Sequence, residues 1–362
     1  MKLKYGMNPY QTNAEIGLND HLQILNGNPS FINFLDGLNA WQLVKELSQA
    51  TGLPAAASFK HVTPSGAAVA GTFLPGELNS YNFRGEDISP LCSAYLKARG
   101  SDRLASFGDF IALSGTVDEA TAKLIGTEVS DGIIAPGYEP SALEILKRKK
   151  KGAYCILSID KDYVPPASES REIFGFRLIQ DRNNLKITRD CLNNVKTAEK
   201  TIDDAVITNL LAGMITLKYT QSNSLAAAYN GHVIGIGSGQ QSRILCSKLA
   251  LSKAYTWYQK TKLDYPGIAY PRDNMSKTDK DIFHDELRAQ MRGEISMLGE
   301  LPGLCLCSDG FFPQTDNIEL AHAYGVKYIA SPMGSIRDPE IIKTCDSYGM
   351  VFIDTGVRLF HH

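Results

Sequence analysis

The chain has 362 residues, a length that corresponds to two or three domains, each large enough to bury a core. Its 37 lysines and arginines are balanced by 39 aspartates and glutamates, which excludes the strongly basic surface of a duplex nucleic-acid binder. Apolar residues make up 43% and charged residues 21%, which excludes intrinsic disorder.

The residue pattern predicts alternating helices and strands in the first half. Residues 30–52 place apolar side chains at a helical period and end on a glycine, as amphipathic helices do. The apolar run 54–59 is typical of a buried strand. Residues 139–147 carry proline in the first turn and lysine in the last, so the basic run 147–151 is interpreted as a solvated helix end.

The C-terminal part continues this alternation. We expect a helix over 318–325, a strand over 326–330, a helix that begins at 338–340 and strands over 350–353 and 357–360. Strands and helices that alternate with short connections predict an α/β fold with some parallel strands.

Two short motifs recur along the chain. The segment KHVTPS at 60–65 and the segment KYTQSNS at 218–224 both precede alanine-rich stretches, and SDGII at 130–134 is matched by SDGFF at 308–312. The two offsets are similar but unequal, as diverged copies with insertions would give. The recurrence predicts two similar halves, 1–165 and 204–362, joined by a polar connector over 166–203.

Several known site classes lack their motifs. The chain has no P-loop motif, Gln240 replaces the third glycine of a dinucleotide fingerprint, and no H-E-x-x-H is present. His284-Asp285-Glu286 matches half of a zinc-deaminase signature, but the P-C-x-x-C half is missing. We therefore expect no catalytic zinc.

The start of the chain is polar and no apolar run reaches the length of a membrane span, so we expect a cytoplasmic protein without a membrane partner. The seven cysteines are scattered and odd in number, which indicates reduced, mostly buried thiols.

Lys60 and His61 follow a predicted buried strand, where a loop with proline and glycine begins. Histidine titrates near neutral pH and a neighbouring ammonium can stabilise an oxyanion, so the pair could act as base and fixed cation. The alternative is an ordinary surface loop.

Further candidates follow other predicted strands. Residues 231–243 read as a glycine-rich strand and turn that enter a helix near Arg243, an arrangement suited to a phosphate or carboxylate, or simply a tight turn. Residues 331–335 form a similar loop. Asp316 can be a helix N-cap, with Glu319 completing a capping box. Lys4, Arg243 and Arg358 are candidate cations for an anionic ligand.

Together these segments resemble a known family, the transformylase part of the bifunctional purine biosynthesis enzyme. The resemblance extends from residue 3 to the end of the chain, and its most specific blocks are KYGMNP at 4–9, LNG at 25–27, LNAWQLV at 38–44, SFKHV at 58–62, SDGIIAPGY at 130–138, KYTQSNS at 218–224, GQQSR at 239–243 and RLFHH at 358–362. It implies formyl transfer from 10-formyltetrahydrofolate, as co-substrate, to aminoimidazole carboxamide ribotide (AICAR).

The resemblance also implies an architecture and partners. The fold would be a duplicated pair of cytidine-deaminase-like α/β/α domains with mixed sheets and no zinc. The active sites of a homodimer would draw on both subunits. The cyclohydrolase domain of the bifunctional enzyme has no counterpart in these 362 residues, so a separate cyclohydrolase would close the ring to inosinate (IMP).

Residue roles follow from the same resemblance. It implies that His61 is the general base, that Lys60 stabilises the transition state and that Asn223 lies near the reacting groups. The positions that match AICAR contacts are Lys4, Tyr5, Asn33, Gly108, Asp131 and Arg358. The positions that match folate contacts are Arg243, Ile244, Phe311, Asp316, Ser335 and Ile336.

This chemistry requires such groups. The 5-amino group of the ribotide is a weak nucleophile, because the imidazole ring and the carboxamide withdraw its lone pair. A base must remove its proton as it attacks, and a cation must stabilise the tetrahedral oxyanion.

The sequence also departs from the family. Lys4 replaces the usual Arg, which removes bidentate recognition, Gln314 replaces a Phe near the folate, and the stretch 264–302 is shorter than in many members. Two other functions remain open: a zinc-free nucleotide deaminase or hydrolase, and a non-catalytic nucleotide sensor.

Overall fold

The structure is a computed structural model that describes residues 1–83, 85, 87–262, 275–276, 279–283 and 300–362. The shortened stretch 264–302 lies mostly, and the half signature at 284–286 entirely, outside the described residues.

The first half of the described chain alternates helices and strands. In chain order the elements are β1 Leu22–Asn26, α1 Phe31–Thr51, β2 Ala55–Lys60, β3 Thr63–Val69, α2 Glu77–Ser80, α3 Pro90–Gly100, β4 Asp109–Leu113, α4 Glu119–Thr127, β5 Ser130–Ala135, α5 Pro140–Lys147, a 3₁₀ turn Lys149–Gly152 and β6 Cys155–Ile159.

An exposed hairpin precedes the second half; its strands are β7 Ser168–Ile173 and β8 Phe176–Asp181. The elements that follow it are a 3₁₀ turn Arg189–Leu192, α6 Asp204–Lys218, β9 Leu225–Tyr229, β10 His232–Gly237, α7 Arg243–Thr261, β11 Cys305–Ser308, α8 Asp316–Ala323, β12 Tyr328–Ser331, α9 Asp338–Ser347 and β13 Val351–Asp354.

Eleven of these strands form one mixed sheet in the order β1-β6-β5-β4-β2-β3-β10-β9-β11-β12-β13. Apart from β1, the order reads symmetrically from the antiparallel β3–β10 contact outward. The helix and strand order after α1 also repeats after α6. The predicted α/β fold with mixed parallel and antiparallel strands is therefore confirmed, while the domain limits 1–165, 166–203 and 204–362 stay a prediction.

The sequence motifs that suggested two halves do not occupy equivalent places. Residues 60–65 span the turn between β2 and β3, whereas 218–224 connect α6 to β9. Residues 130–134 lie in β5, whereas 308–312 begin at the last residue of β11. The repetition is a property of the topology, and these particular motif matches are coincidental.

Helices cover both faces of the sheet. One core lies between the sheet and α1 and α6, and the other between the sheet and α3, α4, α5, α7, α8 and α9. Successive strand residues enter opposite cores: Ala55 and Ala57 face α1, while Ala56 faces α3. This alternation explains why β2 reads as a continuous apolar run.

Local signals predicted the helix ends well where side chains make the caps. Ser30 forms a capping box with Asn33 at the start of α1, and Gly52 ends the helix with φ +71°. Pro140 opens α5 as expected. The basic run after α5 is only partly solvated, because the Lys149 ammonium donates to the Glu128 carbonyl and lies over the Tyr154 ring.

Three local predictions are wrong. Residues 63–66, expected in a loop with proline and glycine, begin strand β3. Residues 357–360 form no strand, although the Leu359 N–H donates to the Asp309 carbonyl. Asp316 is not an N-cap: Thr315 precedes α8 without a side-chain cap bond, and Asp316 is the first helical residue.

All seven cysteines are unpaired and six of them are buried. Among the helices that the structure describes, none is both long and apolar enough to cross a bilayer.

Candidate active site

Most of the predicted site residues lie along one edge of the large sheet, formed by the ends of its strands. Strand β2 ends at this edge and β4 and β5 begin there, because β4 is antiparallel to β2 and parallel to β5. Following the ladder through β3, β10 and β9, strands β10 to β13 also end at this edge. The loops that leave these strand ends carry most of the candidate residues.

Lys60 and His61 lie at the two-residue turn between β2 and β3. Lys60 pairs with Thr63 across the hairpin, and the two central residues, His61 and Val62, both have positive φ, +54° and +58°. The imidazole is exposed. The Lys60 ammonium donates to the Phe107 carbonyl oxygen at 2.7 Å, which directs it across the start of β4.

A buried carboxylate beneath this turn escaped the sequence analysis. The Val62 N–H donates to Oδ1 of Asp36 in helix α1, with an N···O distance of 2.6 Å, and Asp36 is only 5% exposed. Burial raises the pKa of this carboxyl to about 6, although the Val62 bond and the charge of His61 oppose the rise. The signal in the sequence for this buried carboxylate is a charged residue, Asp36, on the otherwise apolar face of α1.

Gly108 and Asp131 lie beside Lys60 at the starts of β4 and β5. Gly108 has φ +76° and donates its N–H to the Val129 carbonyl at 2.9 Å, which turns the chain into β4. Asp131 is exposed and pairs with the Lys150 ammonium at 2.6 Å. The structure therefore brings these two predicted residues together with the Lys60–His61 pair.

A buried polar network supports the start of β4, and nothing in the sequence analysis indicated it. Asp109 accepts from the Ser58 hydroxyl at 2.5 Å and from the Arg99 guanidinium at 2.8 Å. Arg99 also bonds Glu128 at 2.9 Å. These bonds join β2, α3 and β4 next to Lys60 and stabilise the scaffold.

The second cluster surrounds a cavity of about 570 Å³ at the ends of β10 to β13. Four predicted residues line it: Asn223, Arg243, Phe311 and Arg358. The other lining residues are Gln241, Gly310, Pro313, Pro332, Met333, Gly334 and Phe360.

Arg243 is held rigidly at the wall of this cavity. Its guanidinium forms a short ion pair with the fully buried Asp309, donates to Ser308 Oγ at 3.0 Å and to Asn223 Oδ1 at 2.9 Å. The Asn223 amide in turn donates to the Gln240 carbonyl at 2.9 Å. Asn223, predicted near the reacting groups, and Arg243, predicted as a folate contact, therefore form one hydrogen-bonded unit.

The remaining cations and aromatic rings of the cavity lie at its mouth. The Arg358 guanidinium is 4.7 Å from the centroid of the Phe360 ring, and Phe311 is half exposed. Gly310 permits this packing, because a Cβ there would lie 2.7 Å from Arg243 Nη2 and 2.9 Å from the Phe360 ring. The cavity thus combines apolar walls with guanidinium groups, as sites for planar anionic ligands do.

Other predicted folate residues lie outside the cavity lining. Ser335 and Ile336 follow the lining residue Gly334, and Ile336 is 97% exposed. Asp316 is exposed and accepts from the Asn317 amide at 2.7 Å. Ile244 is half-buried in the first turn of α7.

The N-terminal candidates form a third group. The Lys4 ammonium is 5.9 Å from the centroid of the Tyr5 ring, and Asn33 uses its side chain in the α1 capping box. Gln314, which departs from the family pattern, accepts from the Arg337 guanidinium at 2.8 Å.

The turn and the cavity are separate within one chain. The turn joins β2 and β3, and the cavity lies at the ends of β10 to β13, on the other side of the β3–β10 contact. No hydrogen bond or ion pair that the structure describes joins the two clusters. Among the described residues, no group of three or more His, Cys, Asp or Glu could hold a metal ion.

Two kinds of comparison with known proteins point to the same family. A family model described as AICARFT/IMPCHase bienzyme matches residues 1–253. Proteins named bifunctional purine biosynthesis protein PurH are 29% identical over 367 residues in Clostridioides difficile, 30% over 372 in Magnetococcus marinus and 31% over 367 in Macrococcus caseolyticus. Each alignment covers 99% of this chain and 59%, 59% and 61% of the relative, so the chain spans about three fifths of their length.

Proposed function

The chain belongs to the AICARFT/IMPCHase bienzyme family, and from that premise we propose that it transfers the formyl group of 10-formyltetrahydrofolate to the 5-amino group of AICAR. The products are formyl-AICAR (FAICAR) and tetrahydrofolate, in the synthesis of IMP. The observation that carries this proposal is the exposed His61 next to the Lys60 ammonium, on a rigid turn at the sheet edge that also holds the Arg243 cavity.

The reaction uses these groups as follows. His61 accepts a proton from the 5-amino group as the nitrogen attacks the formyl carbon, a step that a positioned base accelerates by roughly 10² to 10⁴. The C=O electron pair moves to oxygen, and the Lys60 ammonium stabilises that oxyanion. Lys60 has donors to spare, because an ammonium has three N–H bonds and only one is used on Phe107. The intermediate collapses, the bond to N10 breaks, and N10 takes up a proton.

The cavity around Arg243 provides the folate site in this proposal. Phe311 and Asn223 both line this cavity. Phe311 would offer an aromatic surface for a pterin ring, and Asn223 would lie next to the reacting groups. Gly108 and Asp131 hold the ribotide beside His61, while Lys4, Tyr5, Asn33 and Arg358 contact its phosphate and carboxamide. No metal takes part in any of these steps.

A homodimer would bring the two clusters together. Each active site would then combine the turn of one subunit with the cavity of the other, since the two lie on opposite sides of the β3–β10 contact within one chain.

The formyl transfer is tested by mixing enzyme, AICAR and 10-formyltetrahydrofolate and following tetrahydrofolate formation by absorbance. We expect FAICAR, measured by chromatography, to form in step with tetrahydrofolate. Ammonia release without tetrahydrofolate would indicate the deaminase alternative, and nucleotide binding without turnover would indicate a sensor; either result would overturn the proposal.

The role of His61 is tested by His61→Ala, which we expect to lower turnover at least 10²-fold while AICAR binding stays measurable by calorimetry. The matched control is His322→Ala, because His322 stacks on Tyr348 and belongs neither to the turn nor to the lining of the cavity. Near-normal turnover of His61→Ala would remove His61 from the mechanism.

The shared site is tested by mixing two inactive variants, His61→Ala and Asn223→Ala, after subunit exchange. If each site draws on two subunits, half of the dimers are mixed and contain one intact site, so about a quarter of the wild-type activity returns. If each site lies within one chain, no activity returns.

A further inference from the structure

The duplicated topology contains a second hairpin that matches the His61 hairpin element by element. In the second half, α6 is followed by β9 and β10, as α1 is followed by β2 and β3. Tyr229 pairs with His232 across a two-residue turn, as Lys60 pairs with Thr63. The central residues Asn230 and Gly231 have φ of +53° and +67°, close to the values at His61 and Val62.

The same hydrogen bond holds both turns. The Gly231 N–H donates to Oδ1 of Asn209 at 2.6 Å, and the Val62 N–H donates to Oδ1 of Asp36 at the same distance. Asn209 is the sixth residue of α6 and Asp36 is the sixth residue of α1. Both side chains are buried. The two hairpins are therefore held by the same kind of hydrogen bond, which an amide oxygen accepts in one half and a carboxyl oxygen in the other.

A neutral amide is sufficient to hold this kind of turn, as Asn209 demonstrates. A carboxylate at the corresponding place must be removed from water when the chain folds, which is unfavourable. The additional charge at Asp36 therefore has no role in closing the hairpin. The two turns differ in both central residues, His61 and Val62 against Asn230 and Gly231, and of these four only His61 has a titratable side chain.

On the basis of the proposed function, we propose that Asp36 is a positioning residue for His61: its carboxylate holds the Val62 N–H and places a fixed negative charge beneath the imidazole that accepts the substrate proton. A buried anion near a general base favours the cation that forms when the base takes up its proton. The hydrogen bond to the Val62 N–H fixes the turn that carries His61. The negative charge stabilises the imidazolium that forms as His61 takes up the proton in the transition state.

Among the described residues, three charged groups act on the Asp36 carboxyl: His61 on the turn, Asp131 at the start of β5 and Asp109 at the start of β4. Burial raises the pKa of Asp36 to about 6, so the carboxyl is charged at pH 8 and neutral at pH 5. The contribution of its charge to turnover should follow this titration.

The decisive variant is Asp36→Asn, which reproduces the Asn209 arrangement in the first half. The amide keeps an acceptor for the Val62 N–H and removes the charge. We expect kcat at pH 8 to fall about 10-fold with little change in the KM for AICAR, and the ratio of wild-type to variant kcat to approach one below pH 5. A ratio that does not change with pH would overturn the role of the charge.

A double-mutant cycle tests whether Asp36 acts through His61. In single-turnover assays with His61→Gln as the background, Asp36→Asn should change the rate less than 2-fold, because the base it serves is absent. An equal loss in both backgrounds would indicate general structural damage and overturn the proposal. The matched control is Asn209→Asp, which introduces a buried carboxyl beneath the other turn and should leave kcat unchanged.

A measurement without substrate separates this proposal from the proposed function. The Val62 amide proton shift in wild-type protein should titrate near pH 6, and this inflection should vanish in Asp36→Asn. Its absence from the wild type would overturn the inference even if the enzyme forms tetrahydrofolate. A wild type that makes no tetrahydrofolate would overturn the proposed function, and with it the role of Asp36 in that reaction.

Discussion

The two equivalent hairpins solve the same geometric problem with different residues. The turn between β9 and β10 uses Asn230 and Gly231, the pair that tolerates two positive φ angles best. The turn between β2 and β3 places His61 and the β-branched Val62 in the same region, which is unfavourable by roughly 1–2 kcal/mol for such a residue. One chain thus contains both the stable solution and a strained one, and the strained turn carries the candidate base.

The difference between the two turns shows where the fold is less stable than its topology requires. A β-branched residue at positive φ, and a buried carboxyl that accepts from the turn N–H, are found at the first turn and not at the second. Strain that is retained beside a chemically competent side chain is typical of functional sites. Four substitutions test this comparison.

The largest effect is expected from transplanting the second turn into the first with His61→Asn and Val62→Gly together. Turnover should fall roughly 10² to 10⁴-fold because the base is lost. The free energy of unfolding should rise by about 1 kcal/mol, because the new residues adopt positive φ more easily. Both are measured on one preparation, by formyl-transfer assay and urea denaturation; a less stable variant would show that the wild-type turn is not strained.

The next effect is the pH dependence of stability in Asp36→Asn. The folded-state pKa of about 6 lies above the ordinary value of 3.8, so wild-type protein loses stability as the pH rises through 6, whereas the variant does not. The variant should be the more stable protein at pH 8, by on the order of 3 kcal/mol at most, and equal to wild type below pH 4. Urea denaturation at several pH values checks this. A difference that is constant with pH would contradict a buried, titrating carboxyl.

A smaller effect is expected when the stable turn is damaged. Gly231→Ala puts a Cβ 2.7 Å from Val69 Cγ2 at a φ of +67°, so it should destabilise the protein by about 1–3 kcal/mol without lowering kcat. Gly17→Ala is the control, because a Cβ at Gly17 meets nothing within 4 Å. Thermal unfolding and the formyl-transfer assay read out the two effects; a large loss of kcat in the folded variant would show that this turn also serves the reaction.

The smallest effect is expected for Val62→Gly alone. Glycine adopts the positive φ of this position without strain, which stabilises the folded state. Glycine also has more backbone freedom in the unfolded chain, which offsets part of that gain, so the free energy of unfolding should rise by less than about 1 kcal/mol. His61 remains, so turnover should persist. Urea denaturation and kcat measure both, and a clear loss of stability would indicate that packing of the Val62 side chain outweighs the strain.

Sequence patterns predicted the helix and strand alternation wherever local chemistry sets it. The α1 ends follow from Ser30 and Gly52, the first turn of α5 follows from Pro140, and the predicted strands of the sheet follow from short apolar runs. Patterns failed where distant contacts decide the outcome. Residues 63–66 look like a loop, yet they pair with β2 and form a strand, and residues 357–360 look like a strand, yet they pass alongside Asp309 without joining the sheet.

The candidate site shows the same contrast between local patterns, which the sequence reveals, and distant contacts, which it does not. The resemblance picked out Lys60, His61, Asn223 and Arg243 as individual residues, because each belongs to a contiguous motif. It could not pair Asn223 with Arg243 or Arg243 with Asp309, since such contacts join residues 20 and 66 positions apart in the chain. Nor could it reveal Asp36, whose partner Val62 lies 26 residues away.

The composition and the local patterns were enough to establish a folded α/β protein, because burial of apolar side chains and capping of helix ends depend on neighbouring residues. The symmetric order of the sheet, the strain at His61 and Val62 and the carboxyl beneath them follow from how the strands pair. Strand pairing brings together residues that are far apart in the chain, and no local pattern encodes which of them will meet.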